Sequence, residues 1–161
     1  MSPERRQSVL VLIGFVAIAV AAELIASWLT AQSVGGWYTT IRKPSWTPPG
    51  WVFGPVWTVL YLSIGVSAGL VWLTGPSKGR RTALIWWSVQ LLLNVIWSGL
   101  FFTMQNPALA FVEIVLLGLA IIATIVAFMR VRRAAGLLLV PYLLWVLFAT
   151  ALNFSIYRLN A

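Results

Sequence analysis

The chain has no cysteine and no histidine, and only three acidic residues among 161. Without thiols it forms no disulfide, carries no thiol nucleophile and builds no Cys/His zinc centre. Axial ligation of a haem iron by either residue is excluded as well. Charged residues make up 9% of the sequence and hydrophobic residues 61%, too little polar surface for a water-soluble domain of this length. Low charge combined with apolar runs of about 20 residues identifies an all-α integral membrane protein. The net charge of +8 does not signal nucleic acid, because the basic residues sit in short loops between the runs. Membrane orientation accounts for them.

Five runs are long enough to cross a bilayer: 8–30, 51–74, 82–104, 108–129 and 134–157. They predict one membrane domain, 1–161, built as a bundle of five transmembrane helices. A cleavable signal peptide competes for the first run, since Ala19-Val20-Ala21 after a basic start resembles a cleavage site. The run continues past that site without a break, which favours a span. Arg5, Arg6, Lys78, Arg80, Arg81, Arg130, Arg132 and Arg133 fall on one side of the membrane, and Arg42, Lys43 and Arg158 on the other. That bias puts the N-terminus in the cytoplasm, with the 31–50 loop and the C-terminus outside.

The long connection between the first two runs is neither Gly/Ser-rich nor charged, as flexible linkers usually are. Pro44, Pro48 and Pro49 lower the entropy cost of fixing it, and Trp37, Tyr38, Trp46 and Trp51 supply aromatic surface at interfacial depth. It reads as a lid. Polar residues inside spans mark protein-facing or cavity-facing positions. Gln90, Asn94 and Ser98 recur every four residues on the third span, with Trp97 and Phe101 on the same broad face. Phe53, Trp57 and Tyr61 form a stripe at that spacing on the second, and Tyr142, Trp145 and Asn153 mark the fifth. Most of these lie in the outer half of the bilayer, so they converge on a pocket beneath the lid. The bland alternative is that Asn, Gln and Ser only join helices by hydrogen bonds, which is the better account of Gln90.

Glu23 and Glu113 differ, because an ionised carboxylate at mid-span costs about 3 kcal/mol or more. With no basic residue inside a span, each is expected as a neutral carboxyl bonded to a neighbour, or as a group a proton-coupled transporter would use. Gly65 and Gly69 form a GxxxG pair that lets helices approach closely, within one chain or between two.

The stretch from Trp37-Tyr38 through Lys43-Pro44-x-Trp46-x-Pro48-Pro49-x-Trp51-Val52-Phe53-Gly54-Pro55-Val56-Trp57 to Tyr61 resembles the signature of the tryptophan-rich sensory protein family (TspO/MBR). These are the bacterial relatives of the mitochondrial translocator protein, also called the peripheral benzodiazepine receptor. Gln90-x-x-Leu93-Asn94-x-x-Trp97-Ser98 and Pro141-Tyr142-Leu143-x-Trp145 agree with it in the same order, together with Phe148-Ala149 and Leu152-Asn153. The resemblance implies a five-helix bundle, a homodimer, and a receptor or sensor that binds porphyrins such as protoporphyrin IX and haem as ligands. No cofactor is required and no metal site is expected. The implied pocket comprises Trp51, Phe53, Trp57, Tyr61, Asn94, Trp97, Ser98, Trp145, Ala149 and Asn153.

Some members are associated with light- and oxygen-dependent porphyrin breakdown, for which the matching catalytic residues are Tyr38 and Trp145. A small-molecule transporter is the third class, against which the apolar inner half of the bundle speaks. The expected location is a bacterial cell membrane or outer membrane. The sterol-recognition pattern of some members is incomplete in Leu152-Asn-Phe-Ser-Ile-Tyr-Arg158, where Phe154 stands at the aromatic position, so no sterol binding is implied.

Overall fold

Hydrocarbon offers a backbone amide no partner but another amide, so each apolar run closes its own hydrogen bonds as a helix. The computed structural model, described over residues 2–161, has helices α1 (Pro3–Ala31), α2 (Trp37–Thr40), α3 (Gly50–Trp72), α4 (Lys78–Ser98), α5 (Pro107–Val131), α6 (Arg133–Leu137) and α7 (Val140–Asn160). Five helical segments are long and apolar enough to span a membrane, as the sequence predicts. The chain is therefore an integral, multi-pass membrane protein.

Local signals set the helix ends. Ser2 and Ser77 cap α1 and α4 by accepting from the backbone N–H of Arg5 and Arg80, and Asn106 caps α5 just before Pro107. The outgoing end of α3 is closed by guanidinium groups instead. Arg80 donates to the Trp72 carbonyl at 3.0 Å and lies over the Trp72 ring, while Arg132 reaches the Leu70 carbonyl at 3.5 Å.

Two spans depart from simple helices. The third continues past Ser98 as a π-helical turn, Gly99–Thr103, in which the Met104 N–H donates to the Gly99 carbonyl at 2.8 Å. The fifth is two helices, because Pro141 at the start of α7 has no N–H to continue α6. The Leu138 carbonyl in the break accepts a hydrogen bond from the Ser63 hydroxyl at 2.7 Å, which fastens α3 to that corner.

α1 packs against α3 and α4, and α5 packs against α4 and α7. α3 meets the fifth span mainly through α6, at the end far from the 31–50 loop, and touches α7 little. A gap therefore opens between α3 and α7 toward the loop. The Gly65–Gly69 pair is used inside the chain. A Cβ on Gly65 would stand 2.5 Å from the Val16 Cα, and one on Gly69 3.3 Å from the Leu12 Cα. Ala19, Ala22 and Ala26 are the buried residues of α1, and the helix runs unbroken through Ala19-Val20-Ala21. The opposite face of α1 exposes Leu10, Ile13, Leu24 and Trp28, as a lipid-facing surface does.

Replacing Gly65 by Val drives a side chain into the α1 backbone, and overpacking of this kind costs about 1–3 kcal/mol. Unfolding in a mixed-micelle denaturant titration is expected to shift by that amount for Gly65→Val. Gly14→Ala, where an added Cβ meets nothing within 4 Å, is expected to cause no destabilisation.

Candidate ligand-binding cavity

Beneath the 31–50 loop the gap between α1, α3, α4 and α7 forms a cavity of about 510 Å³. That is inside the range of about 300–1,000 Å³ typical of small-molecule sites. The loop is a lid with its own structure. Ser33 is buried and its hydroxyl donates to the Phe102 carbonyl at 2.6 Å, which ties the lid to the π turn. The short helix α2 then lays Trp37 and Tyr38 edge-on against Phe101, with ring centroids 5.7 and 6.2 Å away. Farther on, the Arg42 N–H donates to the Asn160 side-chain oxygen at 3.0 Å, and the Asn160 amide returns a bond to the Arg42 carbonyl at 2.9 Å. Trp46 closes the row against Phe148 of α7, 5.8 Å between centroids. The proline-stiffened stretch is thereby fastened at both ends.

The wall is aromatic. Phe53 and Trp57 of α3 meet Trp145 of α7 at 5.7 and 6.5 Å, and Trp57 continues to Tyr61 at 5.7 Å. From α4 and the π turn, Trp97 stacks on Phe101 at 5.3 Å. The π turn brings the adjacent residues Phe101 and Phe102 both to the cavity; such turns are frequent at functional sites.

The floor is a hydrogen-bonded chain across three helices. The Tyr61 hydroxyl donates to the Asn94 side-chain oxygen, and the Asn94 amide donates to the Tyr142 hydroxyl at 2.9 Å. Asn153 does similar work nearer the lid, accepting from the Trp97 indole at 3.0 Å and donating to the Pro107 carbonyl at 2.8 Å.

Charge enters the lining twice among the described residues, as Lys43 under the lid and Glu23 on α1. The Lys43 ammonium donates to the carbonyls of Tyr38 and Ile41 at 2.5 and 3.3 Å and sits 4.6 Å from the Tyr38 ring centroid. Glu23 accepts a hydrogen bond from Thr58 at 2.8 Å. Burial pushes the Tyr38 phenol above its ordinary value, so it stands beside the cavity as a neutral hydroxyl.

Of the ten sequence-derived pocket residues, Phe53, Trp57, Tyr61, Asn94, Trp97, Ser98, Trp145, Ala149 and Asn153 line this cavity. Trp51 does not. It is 77% exposed, because two residues along a helix from Phe53 is about 200° around the axis, which turns it outward to the bilayer interface. Tyr38 joins Trp145 in the lining, and the buried Trp145 indole N–H has no partner. Gln90 stays outside the lining, but it does not join helices as its sequence reading expects: its amide donates to the Trp87 carbonyl one turn back on α4 at 2.9 Å, and its side-chain oxygen has no partner among the described residues. The expected neighbour bond of Glu113 is absent: its carboxyl is buried with neither oxygen paired. Sequence spacing missed Thr58 and the α1 residues Ala26 and Thr30 as lining. Small side chains on a continuous apolar run carry no signal of a cavity wall.

The profile of the TspO/MBR family matches residues 15–158. The chain is 45% identical over 154 residues to the tryptophan-rich protein TspO of Archaeoglobus fulgidus, covering 96% of this chain and 99% of that one. It is 41% identical to the human translocator protein over 126 residues, 77% and 75% of the two chains. To the tryptophan-rich sensory protein of Cereibacter sphaeroides it is 40% identical over 124 residues, 77% of each.

Asn94→Ala strands the phenols of Tyr61 and Tyr142 in the floor, which is expected to cost about 1–2 kcal/mol in a micelle unfolding titration. Adding Tyr61→Phe and Tyr142→Phe to Asn94→Ala removes the stranded hydroxyls and is expected to recover part of that loss.

Proposed function

The chain belongs to the TspO/MBR family, and we propose that its cavity binds porphyrins, protoporphyrin IX and haem, in a sensory or tetrapyrrole-handling role. The observation that carries this reading is the convergence of Tyr38, Phe53, Trp57, Trp97 and Trp145 on one cavity with a single ammonium, Lys43, beneath the lid. A porphyrin is a broad π-system with carboxylate tails. Indole and phenyl faces stack on such a ring and exclude water, and Lys43 meets a propionate by a charge-assisted bond. Arg42, the other basic residue of the lid, lies outside the lining. With neither His nor Cys in the chain, the lining has no strong axial ligand for a haem iron, so the free base suits it at least as well.

The location of Tyr38 and Trp145 in one lining keeps photo-oxidative porphyrin breakdown as a second reading, since both are oxidisable beside the same ligand. Transport is disfavoured, because the Tyr61–Asn94–Tyr142 floor is backed by buried Ile64, Leu91 and Leu139. The cytoplasmic N-terminus and the homodimer belong to the same proposal. A second copy would use a lipid-facing surface other than the Gly65–Gly69 face, which α1 fills.

Titration of the purified protein with protoporphyrin IX in the dark is expected to quench tryptophan fluorescence saturably. Lys43→Ala weakens that binding about tenfold, or about 1.4 kcal/mol, and leaves the dimethyl ester unaffected. Absence of saturable quenching overturns the reading. Under light and oxygen, a new absorbing product that Trp145→Phe abolishes establishes turnover.

A further inference from the structure

One side of the cavity is held, among the described residues, by a single side-chain hydrogen bond. The lid is tied to the π turn through Ser33 and Phe102, and to α7 through Arg42 and Asn160 and through Trp46 and Phe148. The floor is closed by the Tyr61–Asn94–Tyr142 chain. Between α1 and α3 the situation differs along the membrane normal. Far from the lid the helices are in backbone contact at Gly65 and Gly69. Toward the lid, Ser27 and Ala31 of α1 and Gly54 and Thr58 of α3 line the cavity and are exposed. All four side chains are small, and a Cβ added at Gly54 would meet nothing within 4 Å, so an opening is left between the two helices. These four lie within or at the ends of spanning helices, so the opening faces lipid and not water. Among the described residues, the bond from Thr58 to Glu23 at 2.8 Å is the only side-chain hydrogen bond joining α1 to α3.

We propose that ligand enters and leaves the cavity sideways, from the lid-side leaflet of the bilayer, through the seam between α1 and α3. This rests on the reading of the cavity as a binding site and adds its route. The ligand class it selects is a flat amphiphile already dissolved in the membrane; a solute confined to water meets the fastened lid. Ser27, Ala31, Gly54 and Thr58 leave the seam passable because their side chains are small, while Ile25 and Val59 beside them face lipid. Glu23 and Thr58 give the seam its polar tie, which a passing ligand with a donor or acceptor group can replace bond for bond.

The test uses a cysteine as reporter, which the sequence makes clean because the chain has none. Ala149→Cys places one thiol in the cavity wall, and the protein is reconstituted in phospholipid nanodiscs. The probes are N-cyclohexylmaleimide, which partitions into lipid, and a sulfonated maleimide, which does not. The lipid-soluble probe is expected to label at least tenfold faster than the charged one. Ser27→Phe, which plugs the seam, slows the lipid-soluble probe at least tenfold. Ala31→Phe plugs it independently should the first variant fail to fold. Asn160→Ala, which unfastens the lid at the penultimate residue, changes labelling less than twofold. Three results overturn the proposal: labelling insensitive to both plugs, labelling accelerated tenfold by Asn160→Ala, or a charged probe as fast as the apolar one. A seam-dependent labelling pattern without porphyrin quenching leaves the route standing and removes only the ligand assignment.

Discussion

One chain of hydrogen bonds, phenol to amide to phenol from Tyr61 through Asn94 to Tyr142, holds three helices at the distance the cavity requires. α3 and α7 have little direct contact, so α4 bridges them by offering one side-chain amide to both. In hydrocarbon no water competes for these groups, and an unpaired phenol or amide there is costly. Every aromatic group in the wall depends on that spacing. Trp57 and Tyr61 stand one helical turn apart on α3, Asn94 and Trp97 on α4, and Tyr142 and Trp145 on α7. Fixing one residue of each pair in the floor therefore aims the other into the space above it.

The two ends of the bundle are built on opposite rules. Away from the lid, glycine and alanine let α1 and α3 touch through their backbones, and aliphatic side chains fill the remainder. Toward the lid, large rings replace small residues and cannot fill the volume between diverging helices, so a cavity remains under a cover of Trp37, Tyr38 and Trp46. The result is a pocket with a polar floor and a single ammonium at its mouth.

Much of this was legible beforehand, for stated reasons. Hydropathy over about 20 residues is a strong signal, and it marked all five spans. Polar and aromatic residues at four-residue spacing on α3 and α4 pointed to the cavity because lipid-facing positions do not tolerate the polar ones. The family signature converged on the same residues and matched the family profile. The misses are equally physical. Trp51 belongs to the signature but points outward, since a motif records residue order and not helical phase. The π turn at Gly99–Thr103 changes the hydrogen-bond register by one residue, and five residues are too few for periodicity to reveal it. The break before α7 was signalled by Pro141, but hydropathy runs straight across it. The role of α1 as a cavity wall rests on small residues, which look the same facing a cavity as facing a neighbouring helix.

The central claim is that a porphyrin sits inside this aromatic cavity and not merely in the surrounding lipid. Circular dichroism in the Soret band tests it most directly, because an achiral ring acquires a signal only when a chiral environment holds it. With protoporphyrin IX in the dark, the account predicts an induced band that saturates. It predicts loss of that band in Trp57→Leu, within the cavity wall, and its retention in Trp28→Leu, on the lipid face of α1. No induced band, or a band that follows Trp28 and ignores Trp57, would contradict it.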